Sequence, residues 1–201
     1  FFDEILESYE GGYVEQPKDD MIIGNIYYFD FQSLYPNIYI GGNLFTEIHN
    51  DCIKPFITND FFDLDGKYCG CVQGKIEKVM EKMLETRLKY KDINKKLAHT
   101  LKIILNVIYG ISAFRNYEKV FRINSAKDCT SIGRKCIKYS IESFKKYEYY
   151  PFYADTDSIF VLDTKNNKDL ILKIGSEISN FIRDKFPFKP RFLKLNLEDD
   201  K

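Results

Sequence analysis

Three aspartates lie at the ends or turns of aromatic segments, where their carboxylates could bind a divalent cation. Asp30 ends a run of aromatic and β-branched residues at 25–31 that is typical of a buried strand. Asp155 and Asp157 are two residues apart inside a second aromatic run at 150–161. Carboxylates this close repel each other, and Mg²⁺, which binds oxygen ligands, would relieve the repulsion. Taken singly, Asp30 could also be a strand-end cap, and the other two could belong to a polar turn.

Positive charge is concentrated in a second region, between Lys75 and Lys102. This stretch holds nine Lys or Arg residues against four acids, although the whole chain has 30 residues of each sign and no net charge. Arg87 and Lys91 are four residues apart, so on a helix they share a face. Solvated helix faces would explain Lys75, Lys78 and Lys82 well. They explain less well why a further set follows at the same helical spacing, namely Lys102, Asn106, Tyr109 and Ala113.

Carboxylates on strands and cations on helices are the two halves of a phosphoryl-transfer or nucleotidyl-transfer site. Such reactions need alignment and charge neutralisation more than covalent help from the protein. Two metal ions held by carboxylates can activate a hydroxyl group and stabilise a leaving pyrophosphate, and cationic side chains neutralise the triphosphate. The sequence is compatible with this chemistry if the fold brings both sets together.

Hydrophobic periodicity predicts the elements that would position these residues. A strand at 25–31 leads into a helix whose first turn contains Pro36, and residues 50–72 read as short strands and loops. Apolar stripes predict two long antiparallel helices separated by a break at 92–94. The stripe of the second helix consists of Leu97, Leu101, Ile104, Leu105 and Ile108. Later elements are predicted as a helix over 125–147, a hairpin over 150–161, a helix over 168–185 and a strand over 191–197. The predicted fold class is therefore α+β, with a small antiparallel sheet backed by helices.

Composition excludes several classes of protein. The chain is 44% hydrophobic and 16% aromatic, which is enough for a folded core. No apolar run is long enough to span a membrane and no signal peptide begins the chain, so we expect an intracellular protein without a membrane partner. The first residue is not Met, and we expect the chain to be cut from a longer protein. The five cysteines show no zinc-binding spacing and are expected to be reduced thiols, while His49 and His99 are expected at the surface.

The sequence resembles family B DNA polymerases in five motifs, which occur in the family's order. Residues 30–36 (DFQSLYP) resemble D-x-x-S-L-Y-P, residues 102–110 resemble K-x-x-x-N-S-x-Y-G, and residues 153–158 (YADTDS) match Y-x-D-T-D-S. Residues 9–12 resemble Y-x-G-G, and residues 130–134 resemble T-x-x-G-R. Together these motifs extend over nearly the whole chain.

The resemblance implies a polymerase palm, an antiparallel sheet backed by helices, with a two-helix antiparallel fingers insertion. Its parts would be a template-contact linker at 1–24, a first palm segment at 25–74, fingers at 75–115, and a second palm segment at 116–201 that ends before the thumb. The implied activity is DNA-directed DNA synthesis, with primer-template DNA and deoxynucleoside triphosphates (dNTPs) as partners and a processivity factor as a further partner.

The resemblance also implies which residues do the chemistry. Asp30, Asp155 and Asp157 would be catalytic, with Asp30 and Asp157 bridging two Mg²⁺ ions and the Phe31 carbonyl completing one site. Mn²⁺ is the expected substitute for Mg²⁺.

Nucleotide and DNA contacts are implied in the same way. Backbone amides of Ser33 and Leu34 would hold triphosphate oxygens, and Tyr35 would lie under the sugar and exclude a 2′ hydroxyl. The triphosphate tail would be bound by Arg87, Lys91, Lys102 and Asn106. Tyr109 would line the nascent base pair. The expected DNA contacts are Tyr9, Gly11, Gly12 and Gly110.

Two departures from the family pattern leave alternatives open. Val107 replaces the usual serine of the K-x-x-x-N-S-x-Y-G motif, and Asn196 replaces the first glutamate of a late L-E-L-E strand. A catalytically inactive relative that serves as a DNA-binding or scaffold subunit is therefore one alternative. A reverse transcriptase or an RNA polymerase is another, although Tyr35 and the D-T-D sequence favour a DNA-templated enzyme that builds DNA.

Overall fold

The fold is described from a computed structural model of the chain. It describes residues 9–45, 55–56, 61–62, 64–114 and 121–198. Residues 1–8 of the predicted linker, and His49, lie outside these ranges.

Seven strands and five helices occur in the described part of the chain. In order they are β1 (Val14–Glu15), β2 (Ile26–Phe31), α1 (Leu34–Gly42), β3 (Pro55–Phe56), β4 (Tyr68–Cys69), α2 (Lys75–Tyr90), α3 (Lys95–Ser112), α4 (Ile123–Lys146), β5 (Tyr150–Asp155), β6 (Ser158–Leu162), α5 (Lys168–Asp184) and β7 (Leu195–Leu197). The α+β class is confirmed, and most predicted elements agree to within two residues. The last strand is shorter than the predicted 191–197.

A five-stranded sheet in the order β1-β5-β6-β2-β7 forms the base of the fold. Every neighbouring pair in it is antiparallel. β2 lies between β6 and β7, and its Asp30 is opposite Ser158 on one side and Asn196 on the other. The sheet therefore places Asp30 beside the hairpin that carries the other two aspartates.

The two faces of β2 have different partners because successive side chains of a strand point to opposite faces. Phe29 is buried, and its ring lies 5.1 Å from that of Phe144 in α4. α5 approaches the same face closely, since a Cβ on Gly175 would come within 3.2 Å of Phe29. Tyr28 packs against Phe160 of β6 instead. Helices α4 and α5 thus cover the Phe29 face and leave Asp30 on the opposite one.

Helices α2 and α3 pack against each other after a short connection, as predicted for a helical hairpin. The predicted apolar stripe of α3 is partly wrong. Leu105 is buried as expected, but Ile104 is 38% exposed, and the other buried positions of α3 are Ala98 and Ser112. The reason is that α3 contacts α1, α2 and α4, so its buried face is set by several neighbours. In α2, Glu77 is buried and accepts a hydrogen bond from the Phe45 amide at 2.7 Å.

Two expectations from composition can be compared with the structure. No helix in the described ranges has the length and apolar character needed to cross a lipid bilayer. The four described cysteines form no disulfide with one another, and His99 is exposed as expected.

Candidate active site

A cavity of about 400 Å³ lies between the sheet and the α2–α3 hairpin. It is lined by residues 30–36, Arg87, Leu88, Lys91, Lys102, Leu105, Asn106, Tyr109, Thr156, Asp157 and Glu198. Eleven of the predicted site residues are in this wall: Asp30, Phe31, Ser33, Leu34, Tyr35, Arg87, Lys91, Lys102, Asn106, Tyr109 and Asp157. Two regions of the chain that are far apart in sequence, one acidic and one basic, thus face the same space.

Asp30 and Asp157 form the acidic side of this cavity. Burial, followed by repulsion from Asp157 and from Glu198, raises the pKa of Asp30 to about 6. Burial also raises the pKa of Asp157, with Asp155 adding to the effect. Lys102 acts in the opposite direction on both carboxyl groups and favours their ionised forms. Each carboxylate is therefore held partly desolvated and close to like charge, with one lysine opposite them.

Backbone hydrogen bonds tie the two aspartates together. The Phe31 amide, next to Asp30, donates to the Asp157 carbonyl at 2.8 Å. The hairpin turns through Thr156, whose φ of 54° is left-handed, an uncommon conformation for a β-branched residue. Asp155 precedes this turn in β5, is exposed, and does not contribute to the cavity wall. The structure thus brings Asp30 and Asp157 to one cavity and places Asp155 at its edge.

The turn between β2 and α1 forms the floor beside the carboxylates. Ser33 has a left-handed backbone, with φ 52° and ψ 55°, immediately before the first residue of α1. Amides at a helix start have no acceptor within the helix, and together with the helix dipole they favour anions. Arg87 Nη1 donates to Ser33 Oγ at 2.7 Å. The turn therefore combines backbone donors with a guanidinium group.

The α2–α3 hairpin supplies the basic wall. Burial lowers the pKa of Arg87, and Asp30 opposes that change. Lys91 and Lys102 line the same cavity and are exposed, as is Asn106. Because Lys102 also interacts with both aspartates, the wall faces the carboxylates across the cavity.

A cluster of tyrosines closes one end of the cavity. The rings of Tyr35 and Tyr109 lie 4.8 Å apart, and the Tyr9 and Tyr109 hydroxyls are 3.2 Å apart. Burial raises the pKa of Tyr35 well above its usual value, so this phenol stays neutral. A Cβ on Gly133 would come within 3.0 Å of the Tyr35 ring. Tyr35 is therefore held between α3 and α4.

The predicted DNA-contact glycines lie outside the cavity wall. The Gly11 carbonyl accepts a bond from Arg134 at 2.7 Å. Gly12 packs against Thr156, since a Cβ there would come within 2.7 Å of Thr156 Oγ1. Gly110 faces open space on α3.

Two residues outside the predicted site set contribute to it. Glu198 reaches the cavity and raises the pKa of Asp30, and it follows the strand in which Asn196 replaces the expected glutamate. Arg134 donates to the carbonyls of Glu10 and Gly11 at 2.6 and 2.7 Å. The T-x-x-G-R motif contained the signal for Arg134, and the last glutamate of the L-E-L-E pattern contained that for Glu198.

The carboxylate pair fits a divalent cation. Within the described ranges no cluster of three or more His, Cys, Asp or Glu residues could hold a metal. Mg²⁺, however, is commonly bound through one or two carboxylates, with phosphate and water completing its shell. The pKa values of Asp30 and Asp157 are raised first by burial and then by neighbouring carboxylates, and a bound cation would favour the ionised form of both.

The chain is similar in sequence to known DNA polymerases. The chain matches the model of "DNA polymerase family B" over residues 3–51 and 73–199. It is 30% identical to a DNA polymerase of Thermococcus gorgonarius over 90% of this chain and 25% of that protein. It is 28% identical to the DNA polymerase delta catalytic subunit of Candida albicans over 94% of this chain and 21% of that protein.

A third relative is more distant and much longer. The DNA polymerase zeta catalytic subunit of Schizosaccharomyces pombe is 26% identical over 87% of this chain and 14% of that protein. The chain thus spans a quarter or less of the length of these curated relatives.

Proposed function

Because the chain belongs to DNA polymerase family B, we propose that it contains the catalytic core of a DNA-directed DNA polymerase. The reaction is the template-directed addition of dNTPs to a primer 3′ end. The supporting observation is that Asp30 and Asp157 face Lys102 and Arg87 across one cavity. Nucleotidyl transfer needs this pairing of carboxylates with cations because both the attacking and the leaving oxygens carry charge.

In this mechanism Asp30 and Asp157 would hold two Mg²⁺ ions, and the Phe31 carbonyl would be a further ligand. When bound, the ions lower the pKa of the primer hydroxyl and neutralise the leaving pyrophosphate. Asp155, at the edge of the pair, adds negative charge that strengthens cation binding. Mn²⁺ is the expected substitute.

The chain's other residues bind and orient the nucleotide. The amides of Ser33 and Leu34 bind triphosphate oxygens, while Arg87 and Lys102 neutralise the tail. Lys91 and Asn106 extend this contact along the rim of the cavity.

The tyrosine cluster selects the sugar and supports the base pair. Tyr35, held by its ring contact with Tyr109, lies under the sugar and leaves no room for a 2′ hydroxyl. Tyr109 lines the nascent base pair. Tyr9, Gly11, Gly12 and Gly110 lie on surfaces that extend from the cavity and contact primer-template DNA.

In this proposal the segments 25–74 and 116–201 form the palm and 75–115 form the fingers, with 1–24 as the template-contact linker. The α2–α3 hairpin falls within the fingers segment. Four of the five strands of the large sheet fall within the palm segments, and β1 falls within the linker. A processivity factor would be a further partner of the natural protein.

The direct test is primer extension by the natural protein that contains this chain, with Asp30→Asn and Asp157→Asn as variants. Each is expected to lower the extension rate by at least about 10³-fold, because a neutral amide cannot hold the cation pair. Asp169→Asn is a matched control, since Asp169 is exposed on α5, in the part of the chain far from the cavity wall. Extension near the wild-type rate by either site variant would disprove the assignment.

Two further measurements separate the alternative functions. An inactive scaffold relative would bind neither Mn²⁺ nor a triphosphate in this cavity, and it would not extend a primer. Comparison of dNTP with ribonucleotide incorporation, on DNA and on RNA templates, distinguishes a DNA polymerase from an RNA polymerase or a reverse transcriptase.

A further inference from the structure

The turn at Gln32–Ser33 is held by a buried side chain to which the mechanism above gives no role. Asn37, in the first turns of α1, has no exposed surface. Its Nδ2 donates to the Gln32 carbonyl at 2.8 Å and to the Ser33 carbonyl at 3.1 Å. Since both acceptors are carbonyls, the amide nitrogen rather than the oxygen must face the turn. One side chain therefore fixes two consecutive peptide units.

Fixing these carbonyls also fixes the amides of Ser33 and Leu34. Each peptide unit is planar and trans, so its N–H points away from its C=O. The Gln32 carbonyl shares a plane with the Ser33 amide, and the Ser33 carbonyl shares one with the Leu34 amide. With the carbonyls turned toward Asn37, both N–H groups are turned to the other side of the turn. Ser33 and Leu34 are part of the cavity wall.

The turn needs such support because its backbone is strained. Ser33 adopts a left-handed conformation, with φ 52°, which is unfavourable for a residue with a Cβ. The Ser33 carbonyl also accepts a hydrogen bond from the backbone amide of Asn37 at 3.1 Å. Without the side chain of Asn37, that backbone bond would remain, but the peptide unit between Gln32 and Ser33 would lose its 2.8 Å bond and could rotate toward a more favourable conformation. The amides would then lose their shared direction.

The chemistry of Asn37 indicates that it is present as a donor. Its Oδ1 is buried and has no hydrogen-bond partner among the described residues. An unpaired buried acceptor is unfavourable, and an apolar side chain would avoid that cost. The side chain is thus poorly suited to packing alone and well suited to donating to the turn.

We propose that Asn37 is a positioning residue for triphosphate binding. It holds the Ser33 and Leu34 amides toward the cavity so that both can bind phosphate oxygens of the incoming nucleotide. This inference rests on the proposed function, because it takes the cavity to be the dNTP site. It assigns no direct contact between Asn37 and substrate.

The same helix offers a matched control. Asn43, the C-cap of α1, is equally buried, and its Nδ2 also donates to two carbonyls, those of Cys69 at 2.8 Å and Val72 at 3.0 Å. Its Oδ1 accepts from the Gly74 amide at 2.8 Å. Asn43 therefore makes comparable bonds at the opposite end of α1, away from the turn.

The test compares Asn37→Asp with Asn43→Asp in the natural protein that contains this chain. An aspartate keeps the shape of the side chain but removes the N–H donors and places a carboxylate against two carbonyls. Asn37→Ser is a second variant, too short to reach the carbonyls and without charge, in case the aspartate prevents folding. The measurements are the melting temperature and the dissociation constants for dATP, dADP and dAMP with Mg²⁺ present.

All the variants are expected to lower the melting temperature. Only the Asn37 variants should weaken dATP binding by about tenfold or more while changing dAMP binding less than about twofold, since the turn binds phosphate and not base or sugar. In primer extension, the KM for dNTP should rise by a similar factor with kcat within about threefold of wild type.

Two results would overturn the inference. If the ratio of dATP to dAMP affinity stays within about twofold of wild type in the Asn37 variants, Asn37 only stabilises the fold. If Asn43→Asp changes that ratio as much, the effect is general destabilisation. Failure of the wild-type protein to bind dATP at all is a different outcome, because it removes the proposed function together with the inference.

Discussion

Replacement of Asp30 by Asn should make the metal-free protein more stable while it abolishes stabilisation by divalent cations. Burial disfavours the charge of Asp30, and repulsion from Asp157 and Glu198 adds to this effect, so its pKa rises from 3.8 to about 6. An asparagine removes the charge but keeps an oxygen that can accept the hydrogen bond from Tyr28. The variant thus loses a repulsion and keeps its local hydrogen bond.

The amount of stability that the charge of Asp30 removes, and the pH at which it does so, follow from this pKa. The folded state holds the Asp30 proton up to about pH 6, whereas the unfolded chain releases it near pH 4. The free energy of unfolding therefore falls as the pH rises from about 4 to 6, and the full decrease is present at pH 7. A shift of about 2 units corresponds to at most ~3 kcal/mol, and solvent screening of this partly exposed group reduces it to ~1–2 kcal/mol.

The assay is thermal unfolding of wild type and Asp30→Asn with a chelator present, at pH 7 and at pH 4.5, and then with Mg²⁺ at pH 7. At pH 7 without metal, the variant should melt about 2–6 °C higher than wild type, and the gap should shrink at pH 4.5. Mg²⁺ should raise the melting temperature of wild type and leave that of the variant nearly unchanged. Asp169→Asn is the control, because Asp169 is exposed on α5 and outside the cavity wall.

Three outcomes would refute this reasoning. One is a metal-free Asp30→Asn protein that melts below wild type at pH 7, which would mean that attraction to Lys102 outweighs the repulsion. Another is an equal rise with Mg²⁺ in both proteins, which would place the cation elsewhere. The third is an equal gain from Asp169→Asn, which would point to the net charge of the protein rather than to the cavity.

Three other changes should alter stability or activity in specific ways. Asp128→Asn should lower the free energy of unfolding by ~2–4 kcal/mol in a denaturant titration, because the buried carboxylate accepts bonds from two backbone amides and a tyrosine hydroxyl. Tyr39→Phe should lower it by ~1 kcal/mol through loss of the 2.6 Å bond to Ser112. Gly12→Ala should slow primer extension at temperatures where the variant is still folded. The new Cβ would come within 2.7 Å of Oγ1 of Thr156, in the turn before Asp157.

Local sequence determined much of the fold. Apolar periodicity located the long helices because an amphipathic helix must bury one stripe. The aromatic runs around Asp30 and Asp157 predicted β2 and the β5–β6 hairpin because β-branched and aromatic side chains favour strands. The ordered motifs predicted most of the residues that line the cavity. This was possible because each motif is a short segment whose own turn or helix start sets its local structure.

Tertiary contacts decided which face of each element is buried and which carboxylates meet. Two aspartates spaced as in D-T-D could both point into a site, but the left-handed Thr156 and the pairing of Asp155 with Ser158 place only Asp157 in the cavity wall. The burial of Glu77 in α2 likewise depends on a neighbouring segment, because its partner is the Phe45 amide.

Asn37 and Glu198 show the same division between sequence and structure. The sequence fixes the residue types, but nothing local to Asn37 reveals that its amide binds two carbonyls behind it, or that Glu198 raises the pKa of Asp30. The physical reason is that burial and charge–charge interactions depend on distances between segments far apart in the chain. Periodicity along one segment contains no information about those distances.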